Sequence, residues 1–214
     1  MILGLTGGYC AGKSSAAAAL KGAGWSVVDV DGLGHAALER SKDAVAALLG
    51  PSALKADGSP DRRAIAALVF ADPGALARYE AVVHPAMNAL VAEALEGELA
   101  AAAARTPRAE AMICVDAALL YRLPVASACD AVIEVRAPLC SRILRGRARD
   151  GLGTRAVLAR IARQRPLWVA GRAFADKTFV ARNHGSKARF HSEILAAASR
   201  ALSERADRRS ALGA

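Results

Sequence analysis

The chain has few aromatic residues, 4% of its 214 residues, and it contains no uninterrupted apolar run of eighteen residues. Few aromatic rings leave little surface on which nucleic-acid bases could stack. A missing apolar run argues against a membrane-spanning helix. The sequence passes from MILGLT directly into a glycine-rich stretch, without a cationic leader. We therefore expect a cytoplasmic protein that binds neither nucleic acid nor membrane.

Cysteine is also scarce, and the spacing of the cysteines matches no disulfide or zinc-binding motif. The four cysteines form no CxxC pair, and no histidines stand at zinc-ligand spacing; they are Cys10, Cys114, Cys129 and Cys140. This pattern predicts neither a disulfide framework nor a structural zinc site.

Positive charge, by contrast, is abundant. Lysine and arginine together number 29 against 20 acidic residues, which gives a formal net charge of +9. Such an excess points to a polyanionic partner, either a nucleic acid or a small ligand with several phosphates. The excess of arginine over lysine fits bidentate phosphate recognition and fits a biased coding composition equally well.

Residues 7–15, GGYCAGKSS, match the phosphate-loop template, with Gly7, Gly12, Lys13 and Ser14 at the required spacing. In such a loop, backbone N–H groups at a helix N-terminus converge on phosphate oxygens. Lys13 is predicted to reach the β- and γ-phosphates, and the Ser14 hydroxyl to ligate Mg²⁺. The predicted nucleotide-binding residues are Gly8, Tyr9, Cys10, Ala11, Gly12, Lys13, Ser14 and Ser15.

Short apolar and β-branched runs alternate with helix-forming segments along the chain. This alternation predicts a doubly wound α/β fold of the P-loop NTPase type, a parallel five-stranded sheet with helices on both faces. The predicted strands are residues 1–6, 25–31, 111–116, 131–136 and 178–183.

Two segments interrupt this pattern. Residues 57–105 have helical periodicity broken by SP, DP and HP, and predict a helical insertion. Residues 139–172 are rich in arginine and include Gly151, Gly153 and Gly171, which predicts a lid that closes on phosphates. The remaining segments, 1–56, 106–138 and 173–214, are assigned to a nucleotide-binding core.

Two acids, Asp29 and Asp31, end the second predicted strand. Residues i and i+2 of a strand share a face, so both carboxylates are expected in one cleft at the edge of the sheet. One of them could act as a base toward an attacking hydroxyl. The alternative is that they only bind Mg²⁺ through water or cap the next helix.

Several motifs in order together resemble the dephospho-CoA kinase family: GLTGGYCAGKSS, VVDVDGLGH, DGSPDRRAIAALVFADPGALARYEAVVHPAM, RILRGRARDG, RIARQ and NHGS. The resemblance implies transfer of phosphate from ATP, with Mg²⁺, to the ribose 3′-hydroxyl of dephospho-CoA, the last step of coenzyme A synthesis. It implies that Asp31 is the catalytic base and that the insertion binds the acceptor.

The resemblance also implies roles for residues outside the loop. Arg62, Arg63, His84 and Pro85 correspond to the substrate-binding region. Arg145 and Arg149 correspond to lid arginines that assist catalysis, and Asn183 begins a loop that contacts adenine. Taken alone, Arg63 also reads as a surface charge, and His84 as a residue that satisfies a backbone carbonyl.

The chain departs from the family pattern at four positions. Cys10 replaces a phosphate-loop glycine, Ala118 a proline, Arg122 a glutamate and Arg182 an acid. Two rival functions stay open: another small-molecule P-loop kinase, for nucleosides or nucleotides, and an NTPase that acts on nucleic acid. The expected partner is a small-molecule substrate, bound by a monomer or small homo-oligomer.

Overall fold

Five parallel strands form one sheet in the computed structural model, which describes residues 1–105 and 111–211. The strand order is β2-β3-β1-β4-β5, so the first strand occupies the centre. The strands are β1 (Ile2–Gly7), β2 (Ser26–Asp29), β3 (Ile113–Asp116), β4 (Ala131–Arg136) and β5 (Thr178–Arg182). The predicted parallel sheet is confirmed.

Ten helices accompany the sheet in the described ranges. They are α1 (Lys13–Gly22), α2 (Val30–Arg40), α3 (Lys42–Leu49), α4 (Arg62–Ala71), α5 (Pro73–Arg105), α6 (Val125–Ala128), α7 (Leu139–Asp150), α8 (Thr154–Arg163), α9 (Arg165–Ala170) and α10 (Lys187–Ala211). Among these residues no helix combines the length and apolar character needed to span a membrane.

The chain divides into two compact units. The first comprises Met1–Asp29 and Glu98–Ala214, and it contains the sheet. Its core packs β1 and β4 against α1 and α10, with Leu3, Leu5, Ile133, Phe190 and Ile194 almost fully buried. Central strands that are buried on both faces explain why each reads in the sequence as an apolar run.

The second unit, Val30–Gly97, is helical and has its own core. Buried residues from four helices meet there, including Leu38, Val45, Ile65 and Val83. This unit contains residues 30–56, which are predicted from the sequence to belong to the nucleotide-binding core, together with most of the predicted insertion. Residues 106–110, at the start of the predicted second core segment, and residues 212–214 lie outside the described residues.

Two local expectations are wrong. Strand β2 ends at Asp29 and α2 begins at Val30, so strand alternation does not relate Asp29 to Asp31. The HP dipeptide does not break a helix, because α5 runs from Pro73 to Arg105 with Pro85 inside it. A proline inside a helix costs about 3 kcal/mol. Burial of Val83 and Leu90 in the core of the second unit offsets that cost.

Candidate active site

The predicted phosphate loop joins the central strand β1 to α1. It turns sharply because Cys10 and Gly12 have positive φ angles, +56° and +112°. The N–H of Ala11 closes the turn by donating to the Gly8 carbonyl at 2.8 Å. A left-handed conformation costs a residue with a side chain about 1–2 kcal/mol, which explains why glycine suits position 10 better than cysteine.

Two glycines of the loop are also required by close packing. A Cβ at Gly12 would lie 2.2 Å from the side-chain nitrogen of Asn183. A Cβ at Gly8 would lie 2.7 Å from the Arg142 guanidinium. No real contact of a Cβ is that short, so other residues at these positions would displace the side chains that surround the loop.

The loop lysine is held by a carboxylate at the end of the neighbouring strand. Lys13 Nζ lies 2.8 Å from Asp116 Oδ1, and the two side chains are 16% and 10% exposed. Asp29, the last residue of β2, pairs with Asp116 in the strand register and is exposed. The carboxyl ends of β2 and β3 therefore bring two acids to the edge of the sheet where the phosphate loop begins.

Side chains from α7 and from the end of β5 hold the carbonyl groups of the loop. Arg142 Nε donates to the Tyr9 carbonyl at 2.8 Å. Arg145 Nη1 lies 3.3 Å from the Ala11 carbonyl, and Asn183 Nδ2 donates to the same carbonyl at 2.7 Å. These donors fix the carbonyl groups of the loop, and backbone N–H groups of such a loop can form a concave site for an anion.

Tyr9, in the phosphate loop, contacts several residues of the predicted lid. Its N–H donates to Gln164 Oε1 at 2.6 Å, and its hydroxyl donates to the Asp150 carboxylate. The guanidinium carbons of Arg149 and Arg160 lie 5.1 and 5.6 Å from the centre of its ring. Cation–π attraction is expected at such distances.

Asp150 organises this cluster. The hydrogen bond from Arg149, which has the largest effect, and the hydrogen bond from Tyr9 lower the pKa of the Asp150 carboxyl to about 2. The Arg149 guanidinium lies 2.7 Å from that carboxylate, and its side chain is 60% exposed. The two arginines of the predicted lid therefore differ: Arg145 contacts the loop backbone, whereas Arg149 pairs with Asp150.

The residues of the predicted acceptor region lie in the helical unit. The Asp61 carboxylate caps α4 by accepting from the N–H groups of Arg63 and Ala64, both at 3.0 Å. Arg62 Nη1 lies 2.6 Å from His35 Nε2. Since a guanidinium can only donate, the His35 nitrogen is the acceptor.

Arg62 and Arg63 line one recess of about 420 Å³, together with Lys55, His35 and acidic neighbours. Three basic side chains around one recess suit a phosphorylated ligand. His84 and Pro85 lie elsewhere, on the exposed side of α5.

Asp31 lies in the first turn of α2, at the start of the helical unit, and is exposed. A carboxylate in that position interacts favourably with the positive end of the helix dipole.

Comparison with known proteins agrees with this arrangement. The sequence model of dephospho-CoA kinase matches residues 1–187. The chain belongs to the dephospho-CoA kinase family.

Individual relatives agree. A dephospho-CoA kinase from Anaeromyxobacter dehalogenans is 39% identical over 188 residues, covering 86% of this chain and 84% of the relative. One from Thermus thermophilus is 37% identical over 167 residues, covering 78% and 76%. A crystal structure from Thermus thermophilus, 33% identical, superposes with a TM-score of 0.73 and covers 94% of this chain and 95% of the other.

Of the four positions at which this chain differs from the dephospho-CoA kinase family pattern, two have contacts or a backbone conformation that can be described. Cys10 takes up the left-handed conformation that glycine adopts most easily. Ala118 lies just after β3, where its carbonyl accepts from the Thr6 hydroxyl at 3.3 Å. Arg122 and Arg182 are exposed. Nothing in the structure explains why the acids of the family are replaced by arginine there.

Sequence reasoning missed four residues that organise the site: Asp116, Asp150, Arg160 and Gln164. A signal existed for the last two, because the RIARQ motif of the resemblance contains Arg160 and Gln164. Asp116 also had one, as an acid that closes an apolar strand run. Asp150 lies in the RILRGRARDG motif of the resemblance, but its contact with Tyr9, 141 residues earlier, is visible only in the structure.

Proposed function

We propose that the chain transfers the γ-phosphoryl group of ATP to the ribose 3′-hydroxyl of dephospho-CoA, giving coenzyme A and ADP. The observation that carries this conclusion is the phosphate loop of a dephospho-CoA kinase family chain, with Lys13 fixed at the end of the central strands.

The phosphate loop is proposed to bind the ATP phosphates. Within Gly8–Ser15, the backbone N–H groups other than those of Tyr9, Ala11 and Ser15, which donate inside the protein, would face the phosphate oxygens at the positive end of α1. Lys13 would leave Asp116 to contact the β- and γ-phosphates. Arg145 and Arg149 would neutralise the charge that develops during transfer, where a single arginine is worth about 10³–10⁵ in rate. Asn183 would support the adenine side of the site.

The donor groups present suit Mg²⁺, which proteins bind through one or two carboxylates together with substrate phosphates. Ser14, exposed at the first turn of α1, would ligate the ion, with Asp116 and Asp29 nearby at the strand ends. When bound, the ion supplies charge neutralisation between the phosphates. No cluster of three or more metal-ligating side chains occurs in residues 1–105 and 111–211, and a site completed by nucleotide needs none.

The helical unit is proposed to bind the acceptor. Arg62 and Arg63 would contact polar groups of the acceptor from the recess that they line, and His84 and Pro85 would shape the path of the acceptor along α5. Asp31 would accept the proton of the 3′-hydroxyl as its oxygen attacks the γ-phosphorus. The cytoplasmic location and the state of monomer or small homo-oligomer stay predictions.

The experiment is a screen of acceptors with purified protein and Mg·ATP, in which ADP release is measured. We expect ADP release with dephospho-CoA at a rate far above that without acceptor, and equimolar coenzyme A. A panel of nucleosides and nucleotides, and a sample of single-stranded DNA, serve as controls. Faster ADP release with any of these than with dephospho-CoA would reject the proposed acceptor and leave the nucleotide site intact.

A further inference from the structure

A recess of about 360 Å³ lies beside the phosphate loop, inside the sheet-containing unit. Its lining includes Gly8 of the loop, Glu134 and Arg136 of β4, Arg142 of α7 and Trp168 of α9. Its volume falls in the range of small-molecule sites, about 300–1,000 Å³. Apart from Gly8, these residues have no role in the proposed transfer.

Arg142 carries an unsatisfied donor in this recess. Its Nε donates to the Tyr9 carbonyl, but its Nη2 is buried and has no hydrogen-bond partner. Burial lowers the pKa of this guanidinium, because the charged form is poorly solvated. A buried cationic donor without an acceptor is unfavourable, and a ligand oxygen would relieve it.

The Glu134 carboxylate holds Arg136 at the recess. Glu134, only 8% exposed, accepts from Arg136 Nε at 2.5 Å and from the Tyr121 hydroxyl at 3.2 Å. The side chain of Arg136 is nevertheless 56% exposed. The contact with Glu134 engages Nε, which is only one of the nitrogens through which a guanidinium donates.

We propose that Arg136 and Arg142 form a second phosphate-binding subsite, which takes a diphosphate group beside the phosphate loop. Glu134 is the positioning residue for Arg136, and Trp168 forms a wall of the subsite. Two guanidiniums match the two charged phosphates of a diphosphate, and arginine binds such groups bidentately.

The source of the diphosphate is the acceptor, and this assignment rests on the proposed function. Dephospho-CoA carries a diphosphate on the same ribose whose 3′-hydroxyl reacts, and the phosphate loop itself accounts for the phosphates of ATP. The diphosphate chemistry of the subsite does not depend on the reaction.

Calorimetric titration with inorganic pyrophosphate tests the subsite, with ADP at saturation so that the phosphate loop is filled. Arg136→Gln and Arg142→Gln are compared with Arg147→Gln, which removes the same charge from an exposed position of α7 outside the recess. We expect the Kd for pyrophosphate to rise about tenfold or more in the first two variants. We expect it to change less than about twofold in the control.

Titration with dephospho-CoA and with ATP then identifies the source. Weaker binding of dephospho-CoA with unchanged ATP binding in Arg136→Gln, whose side chain does not hold the phosphate loop, supports the acceptor; weaker binding of ATP alone in that variant overturns that assignment. Pyrophosphate affinity within about twofold of wild type in both recess variants, or an equal loss in Arg147→Gln, overturns the subsite.

Two further measurements keep the outcome clear. If Arg136→Gln lowers the thermal midpoint, Arg136→Lys replaces it, because this variant keeps the charge and loses the bidentate fork. Pyrophosphate binding by a wild-type protein that forms no coenzyme A would refute the proposed function and leave the subsite standing.

Discussion

The phosphate loop and the helical unit hold their charged side chains in opposite ways. Around the loop, Lys13 and Asp116 are mostly buried and paired, and Arg142 and Arg145 donate to loop carbonyls. In the helical unit, charges stay near solvent, as in the Arg40–Glu93 ion pair, whose side chains are 50% and 56% exposed.

This difference indicates two uses of charge. Buried, hydrogen-bonded charges fix a geometry before any ligand arrives, and their loss is expected to affect both folding and catalysis. Exposed ion pairs contribute only about 0–1 kcal/mol to stability. Substitution of exposed basic residues in the helical unit should therefore change ligand affinity without changing stability.

Asp31 is an exposed residue of the helical unit, yet its substitution is expected to have the largest effect on the rate of phosphate transfer. Asp31→Asn removes the proposed base and should lower kcat by about 10²–10⁴-fold while the Kd for ATP is unchanged. Steady-state kinetics and calorimetry measure these two quantities. Asp43→Asn, an exposed acid in the first turn of α3, is the matched control. Unchanged turnover in Asp31→Asn would remove this residue from the base role.

Gly12→Ala tests the rigidity of the loop. The added Cβ would meet Asn183, and alanine is strained at a φ of +112°. We expect stability to fall by about 1–3 kcal/mol and ATP affinity to fall about tenfold or more, measured by chemical denaturation and calorimetry. Gly22→Ala, at the end of α1 with open space around it, should be neutral or stabilising by up to about 1 kcal/mol. Equal effects at both positions would contradict the packing argument.

Arg62→Gln tests whether an exposed charge of the helical unit affects acceptor affinity without affecting stability. Loss of one charged contact to the acceptor should raise the KM for dephospho-CoA about tenfold, with the KM for ATP and the thermal midpoint unchanged. Arg40→Gln, which breaks an exposed ion pair outside the recess, should leave all three values unchanged. A fall in stability of Arg62→Gln comparable to that of Gly12→Ala would end the contrast between the two regions.

Cys10→Gly should have the smallest effect. Relief of left-handed strain, about 1–2 kcal/mol, is opposed by the backbone entropy of glycine, about 0.5–1 kcal/mol. We expect a gain in stability of about 1 kcal/mol or less and unchanged ATP affinity. Cys10→Val, with a branched side chain at a φ of +56°, should be clearly destabilised. A valine variant as stable as wild type would show that the loop is not strained at this position.

Much of the fold could be predicted because its signals are local. The apolar runs became β1 to β5, and the glycine spacing of residues 7–15 marked the phosphate loop. The end of β2 was harder, because Val30 is β-branched and favours a strand, yet it begins α2. Pro85 predicted a break in the helix, but α5 continues through it, because tertiary packing overrides the local preference of proline.

The contacts that hold the site could not be predicted in the same way. Lys13 and Asp116 are 103 residues apart, and Tyr9 and Gln164 are 155 residues apart. Such pairs depend on the path of the chain through the whole sheet and through α7 and α8, and no short motif encodes them. The sequence could therefore indicate that Arg145 and Arg149 act near phosphates, but it could not distinguish the backbone contacts of the first from the Asp150 pairing of the second.

The most direct test of the account is to locate the transferred phosphate on the product. Dephospho-CoA and Mg·ATP are incubated with the protein, and the product is examined by phosphorus and proton NMR. We predict a new phosphomonoester coupled to the ribose 3′ proton, formed in equal amount to ADP. Phosphate on another hydroxyl, or ADP accompanied only by free inorganic phosphate, would contradict the proposed transfer.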